Sequence, residues 1–165
     1  MDAIQALKTR RSVRYFRPGA VSDDVLRDLV DCARLAPSGR NEQPWEFVVV
    51  RDRAKLRELA ALTDFGRFIA DAAACIVVLC KASKYFLEDG SAATQNILLA
   101  AHAHGLGACW VAGDKKPYAP QVLAAIGAPR DYKLISLVPV GWPAENLPER
   151  AQKRPLSEVL HWERF

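Results

Sequence analysis

The stretch "SAATQNILLAAHAHG" (residues 91–105) decides the fold class of this chain. From about Asp89 to His104 nearly every residue is small or apolar, so the predicted helix lacks a broad polar face. A helix that is apolar all round is buried on several sides within a domain. We therefore expect one central helix with the other elements arranged around it.

Apolar runs on either side of this helix predict the strands. "WEFVVV" (45–50), "CIVVLC" (75–80) and "KLISLVPVGWP" (133–143) are nearly continuous in apolar residues, which is typical of buried strands, and we expect "WEFVVV" to be central in the sheet. Further helices are predicted over residues 2–9, from the Ser22 N-cap to before Pro37, over 52–62 and over 120–127, with a short one at the C-terminus. Helices and about four or five strands without regular alternation favour an α+β layered domain.

Composition limits the class of protein. The 165 residues are 50% hydrophobic and 25% charged, which is enough for one domain with a real core and excludes a disordered chain. The net charge of +4 is too mild to indicate nucleic-acid binding by itself. No apolar run is long enough for a membrane helix, and no secretory segment is recognisable. We expect a cytoplasmic protein whose partners include neither nucleic acid nor membrane.

The four cysteines, at positions 32, 75, 80 and 109, contain no CxxC pair. We expect reduced and mostly buried thiols, since a small apolar side chain is the usual role of such residues. The alternative, a disulfide or a metal site, has no support from the spacing.

A basic cluster stands near the N-terminus in "RRSVRYF" (10–16). Arg10, Ser12 and Arg14 alternate, so in an extended chain their side chains point the same way. Two guanidinium groups and a hydroxyl on one face suit a phosphate. The alternative is a group of solvated cations at a helix C-terminus. A second basic pair, Lys153 and Arg154, lies in the tail.

Other signatures of catalysis are missing or incomplete. "GLGACW" carries Trp110 where a dinucleotide fingerprint needs its third glycine, and it follows a helix instead of a strand. His102 and His104 are two residues apart on a helix, so they do not share a face for a metal. No paired carboxylates and no nucleophile elbow are recognisable. Phosphate-binding groups without acid–base machinery favour chemistry done by a bound cofactor.

Five segments resemble the nitroreductase family of FMN-dependent oxidoreductases. They are "RRSVRYF", "APSGRNEQPWEFVVV", "QNILLAAHAHGLGACWVAG", "VPVGWPAE" and "KRPLSEVLHWERF", in this order along essentially the whole chain. The resemblance implies an α+β fold with a three-layer α/β/α sandwich and a single FMN-binding domain over residues 1–165. It also implies an obligate homodimer with two FMN sites at the interface, with the segment from about 143 to 165 wrapping the partner subunit.

The resemblance assigns the cofactor-binding residues one motif at a time. The N-terminal motif binds the phosphate and ribityl chain through Arg10, Ser12 and Arg14, with Arg11 nearby. A loop reaching the flavin of the other subunit comprises Pro37, Ser38, Gly39 and Asn41, with Gln43 either at the flavin or holding the loop together. Backbone N–H groups facing flavin N5 come from Trp110, Val111, Ala112 and Gly113. The tail closes over the phosphate with Lys153 and Arg154, and Arg67 is a further candidate at the flavin edge. Trp45 is expected in the core.

The implied reaction passes a hydride from NAD(P)H through flavin N5 to a nitroaromatic, a quinone or a similar electron-poor acceptor by a ping-pong mechanism. Larger family members carry a Glu-Gly pair where this chain has Ala112-Gly113. No catalytic acid is therefore assigned, and Glu42 is expected to face solvent. Two alternatives stay open at this point: a flavin-binding storage or sensor protein without turnover, and a nucleic-acid-binding module that uses residues 10–17.

Overall fold

One antiparallel sheet organises the chain in the computed structural model, which describes residues 1–149 and 151–165. Its strands are β1 (Phe16–Arg17), β2 (Trp45–Val50), β3 (Ala74–Lys81), β4 (Gly107–Ala108), β5 (Val111–Ala112) and β6 (Tyr132–Pro143). The helices are α1 (Ala3–Thr9), α2 (Asp23–Arg34), α3 (Arg53–Leu62), α4 (Phe86–Ala103) and α5 (Ala119–Ala125). The strand order is β1-β6-β3-β2, and β4 and β5 also pair with β6.

The strand β2 lies at an edge of the sheet, so the expectation that it is central was wrong. Its one pairing in the described residues is with β3, in register from Trp45 opposite Cys80 to Val50 opposite Cys75. The apolar run has a different cause. Phe47 packs against the core on one face of the sheet and Val48 against the core on the other. Helices on both faces require apolar residues on both faces, and they do not require a neighbour at both edges.

Two cores, one on each side of the sheet, confirm the three-layer sandwich. The first core joins α2 and α4 to alternate residues of β3 such as Ile76 and Val78. The second joins α3 and α5 to the intervening residues such as Cys75 and Val77. The sheet is therefore the middle layer between two helical layers.

The central helix α4 is the expected one, and it begins slightly earlier than predicted. Ala93, Ile97 and Ala101 are fully buried. The two histidines point to different neighbours, as their spacing predicts. His102 Nε2 lies 2.8 Å from the Thr9 hydroxyl on α1, and His104 Nε2 lies 2.6 Å from an Asp28 carboxylate oxygen on α2.

Helix capping follows the sequence at α2, where Ser22 is the N-cap and its hydroxyl accepts a hydrogen bond from Val25 N–H at 3.4 Å. The C-terminus departs from expectation, because residues Leu156–Glu158 form only a single 3₁₀ turn. The four cysteines are free thiols, three of them buried as expected. Within the described ranges, no helix combines the length and apolarity that crossing a membrane would require.

Candidate functional site

A cleft of about 320 Å³ gathers most of the predicted phosphate-binding residues, and we name it the basic cleft. The predicted residues that line it are Arg10, Arg11, Ser12, Arg14 and Lys153. The remaining lining is Leu7, Tyr15, Leu147, Pro148, Glu149 and Ala151. The N-terminal motif and the tail therefore meet at one place, although they lie at opposite ends of the sequence.

The basic motif is held in an extended conformation between α1 and β1. Val13 is buried, and its N–H donates to the carbonyl of Ala108 at 2.9 Å. Ser12 forms a parallel bridge with the same residue of β4. Because successive side chains of an extended chain alternate, burying Val13 turns Ser12 and Arg14 outwards, into the cleft. The predicted alternation holds at Ser12, Val13 and Arg14, whereas Arg11 and Tyr15, which have the parity of Val13, also line the cleft.

The electrostatics of the basic cleft are strongly positive. Among the residues that the structure describes, no ion pair involves Arg10, Arg11, Arg14 or Lys153. Glu149 is the one carboxylate among the lining residues. Four cations without paired carboxylates form a site for an anion.

The buried thiol of Cys109 lies beneath this cluster. Burial raises the pKa of the Cys109 thiol, and the positive charge of Arg14 and a hydrogen bond with the Ser12 side chain only partly oppose this. The thiol is therefore neutral near pH 7, as expected for a core residue.

The two basic residues of the tail differ in position. Lys153 lines the basic cleft, whereas the Arg154 guanidinium is bound to Glu158, with its Nη2 donating to the Glu158 carbonyl at 2.9 Å. A direct role for Arg154 at the phosphate stays a prediction.

The loop 38–43 has a defined and unusual backbone. Arg40, Asn41 and Gln43 have φ values of 55°, 58° and 48°, in the left-handed region. The Ser38 hydroxyl accepts a hydrogen bond from Gln43 N–H at 3.0 Å, and Gln43 Nε2 donates to the Asn41 carbonyl at 3.4 Å. Such conformations are disfavoured for residues with side chains and concentrate at functional sites. Gln43 thus holds the loop together, which is one of its two predicted roles.

The segment 110–113 corrects one expectation. The N–H of Gly113 donates to the carbonyl of Ile135 at 3.0 Å, so it is engaged with the sheet and does not face a ligand. A Cβ at Gly113 would lie 2.8 Å from the backbone carbon of Ile135, which explains the glycine by close packing. Trp110 is half-buried against the core, Val111 is buried and Ala112 is exposed.

The structure of one chain does not bring all predicted residues together. Neither the loop 38–43 nor the segment 110–113 contributes a residue to the described lining of the basic cleft. Arg67 begins a 3₁₀ turn, and the next residue, Phe68, lies under Arg14, with the guanidinium carbon 6.0 Å from the ring centroid. Trp45 is buried as expected.

Sequence reasoning missed two residues at these sites. Tyr15 lines the basic cleft, and its position directly after Arg14 was the available signal. Asp89 is buried and binds the N–H of Gly39 through Oδ1 at 2.9 Å. Its signal was a carboxylate at the edge of the apolar stretch that forms α4.

Comparisons with known proteins point to one family. The sequence model of the nitroreductase family matches residues 7–74 and 64–142. A relative from Methanothermobacter thermautotrophicus, provisionally named NADH dehydrogenase/NAD(P)H nitroreductase, is 36% identical over 88% of this chain and 80% of its own.

Two solved structures are similar over nearly their whole length. One is a provisionally named nitroreductase from Desulfovibrio desulfuricans in complex with FMN, 35% identical, with a TM-score of 0.87 and coverage of 100% of this chain and 99% of the other. The other is an FMN-dependent nitroreductase from Clostridium difficile, 29% identical, with a TM-score of 0.91 and coverage of 98% and 99%. Sequence and fold agree, and the chain belongs to the nitroreductase family.

Proposed function

We propose that this chain, an FMN-dependent oxidoreductase, takes a hydride from NAD(P)H and passes it to an electron-poor acceptor such as a nitroaromatic or a quinone by a ping-pong mechanism. The observation that carries the proposal is the basic cleft, where four cations without described carboxylate partners surround Ser12. The name of the Methanothermobacter relative supports NAD(P)H as the reductant.

The residues of the basic cleft fit the phosphate of FMN. Arg10 and Arg14 offer forked donors, Ser12 offers a hydroxyl, and Lys153 offers a compact charge from the tail. The lining also contains Leu7 and Tyr15, which suit the less polar parts of the cofactor beyond its phosphate. Arg11, which also lines the cleft, adds to its positive field.

A second set of residues serves the flavin ring. The predicted set is Pro37, Ser38, Gly39, Asn41 and Gln43 from one subunit and Trp110, Val111 and Ala112 from the other, without the N–H of Gly113, which is bound to Ile135. The loop 38–43 lies outside the basic cleft of its own chain, which supports its action on the FMN of a partner subunit. This arrangement requires a homodimer.

The exposed apolar side chains of the tail support such a dimer. Trp162 is 75% exposed, and Leu156 and Phe165 are also exposed. Large apolar groups in contact with water are unfavourable, and a partner subunit that covers them removes that cost. We infer that residues from about 143 to 165 wrap the partner and that the dimer works in the cytoplasm.

FMN, when bound, supplies the hydride chemistry at its N5 atom. The protein then has to bind the cofactor, orient it and stabilise negative charge on its ring. No side chain is assigned as an acid, because Glu42 is exposed and the position that larger relatives fill with glutamate is Ala112.

Steady-state kinetics of the FMN-loaded protein test this function. NADH or NADPH is varied at several fixed concentrations of a quinone acceptor. A ping-pong mechanism gives parallel lines in double-reciprocal plots, because one pocket serves both substrates in turn. Intersecting lines, or no turnover with either nucleotide, would contradict the proposal.

A further inference from the structure

A single described hydrogen bond joins the loop 38–43 to the body of the protein. Its other hydrogen bonds are internal: Asn41 N–H to the Ser38 carbonyl, Glu42 N–H to the Gly39 carbonyl, Gln43 N–H to the Ser38 hydroxyl and Gln43 Nε2 to the Asn41 carbonyl. In the described part of the chain, the one bond that leaves these six residues runs from Gly39 N–H to Asp89 Oδ1, at 2.9 Å. This bond joins residues 50 positions apart in the sequence.

Asp89 is an unusual partner for this purpose. The residue is only 4% exposed, and its Oδ2 atom is buried without a hydrogen-bond partner among the described residues. No described ion pair includes it. Burying a carboxylate without a counter-ion is unfavourable. A carboxylate kept in such a place therefore points to a role that an apolar residue could not fill.

Two residues at the start of α4 support the loop together: Tyr85 immediately before the helix and Asp89 in its first turn. Tyr85 and Asp89 are four residues apart, so they share one face of the helix. A Cβ at Gly39 would lie 2.6 Å from the Tyr85 ring, so the glycine allows the loop backbone to rest against that ring. The carboxylate then binds the Gly39 N–H from the same face.

The hydrogen bond between Gly39 and Asp89 restricts a loop in which three residues have a strained backbone. Arg40, Asn41 and Gln43 are left-handed, and this conformation persists only where the surroundings impose it. An anchor at Gly39, immediately before Arg40, restricts the positions that the rest of the loop can take.

We propose that Asp89 is a positioning residue of the flavin site, which holds the loop 38–43 in the conformation that presents Ser38 and Asn41 to the flavin. The inference rests on the proposed function. Asp89 itself touches no reacting atom and acts through Gly39.

The test compares Asp89→Ala, Asp89→Asn and the wild-type dimer. Binding of FMN and of riboflavin is titrated, and the hydrogen exchange of the Gly39 amide is followed by NMR in the flavin-free protein. In Asp89→Ala the affinities for FMN and for riboflavin should fall by the same factor, about tenfold. The Gly39 amide should exchange at least about tenfold faster. Asp89→Asn keeps an acceptor and should stay within about threefold of the wild type in both measurements.

Thr94→Val is the matched control. Thr94 is fully buried on the same helix, and its described hydrogen bonds go to the Gly90 carbonyl and to the Ser136 hydroxyl, at 2.7 and 2.8 Å, and not to the loop. This variant should lower the melting temperature and leave flavin affinity and Gly39 exchange unchanged.

Several results would overturn the proposal. The first is a Gly39 amide that exchanges without protection in the wild type. The next two concern Asp89→Ala: unchanged flavin affinity, or a loss of affinity for FMN alone. The last two are an equal loss of flavin affinity in Thr94→Val, or an Asp89→Asn variant whose flavin affinity is as low as that of Asp89→Ala. If Asp89→Ala does not fold, two measurements decide: the Gly39 amide must be protected in the wild type, and Asp89→Asn must stay within about threefold of the wild type in flavin affinity and in Gly39 exchange. A wild-type protein that binds neither flavin would end the proposed function, and the exchange data would still show whether Asp89 holds the loop.

Discussion

Ser12 and Arg14 face the basic cleft because the side chain of Val13 between them is buried. Val13 points into the core and its N–H is bound to Ala108, so the neighbours on either side must turn outwards. This part of the site could be predicted from the sequence, since alternation in an extended chain is a local property. The contribution of Lys153 could not be derived from spacing alone, because it depends on where the tail returns.

The cation at Arg10 is expected to act on the FMN phosphate alone. Replacing Arg10 by Ala should lower FMN affinity by about 1.5–3 kcal/mol, because a charge-assisted contact is lost. Riboflavin, which lacks the phosphate, should bind weakly and be unaffected. Arg17→Ala is the control, since Arg17 lies over Trp142, 5.3 Å from the ring centroid, and is absent from the cleft lining. An equal loss of both flavins in Arg10→Ala would show a structural role instead.

Catalysis is expected to need no acid from the protein. With a quinone acceptor, kcat should be nearly flat between about pH 6 and 8, without the bell shape that an essential acid and base impose. Glu42→Gln should change kcat by less than about tenfold, or about 1.4 kcal/mol of barrier. A loss near a thousandfold with FMN still bound would identify Glu42 as a catalytic group.

The positions of the strands and helices can be predicted from apolar patterns in the sequence. Which elements lie next to each other cannot be predicted in this way. The run "WEFVVV" predicts burial on both faces, which the two cores confirm, but it cannot reveal that β2 pairs only with β3 among the described residues. The bond between Gly39 and Asp89 is hidden from sequence reasoning for a similar reason. It joins a loop to the start of α4 across 50 positions.

The contact between α1 and α4 gives a prediction on pH. The Thr9 hydroxyl donates to the Gln5 carbonyl at 2.7 Å, so His102 Nε2–H donates to Thr9. Burial, and then the positive charge of Arg10, lower the pKa of His102 below its usual value. The folded protein thus binds this proton more weakly than the unfolded chain does. The corresponding stability is present above the unfolded pKa of about 6.5 and is lost as the pH falls from there through the lower folded pKa.

His102→Gln keeps an N–H donor and removes the titration. Between about pH 7.5 and 5.5 the wild type should therefore lose more free energy of unfolding than this variant, as measured by urea denaturation at each pH. Parallel losses in the two proteins would contradict this account of the α1–α4 contact.

At the scale of the whole molecule, the site is expected to be composite. Arg14→Glu should disable the phosphate clamp of its own chain, and Asn41→Asp should disable the loop that serves the partner's FMN. A heterodimer of the two variants then contains one site with both defects and one site with neither. Mixing two inactive variants should restore about half of the sites in each heterodimer. No recovery on mixing, or a fully active monomer in sedimentation, would contradict this arrangement.

We propose that this member of the nitroreductase family transfers a hydride from NAD(P)H to an acceptor through FMN. The most direct measurement follows the yellow absorbance of the FMN-loaded protein without oxygen, first with NADH or NADPH alone and then with a quinone. We predict that one of the two nucleotides bleaches the colour without any acceptor present, and that the quinone restores it. A protein that stays yellow with both nucleotides, or one that never binds FMN, would contradict this hydride transfer.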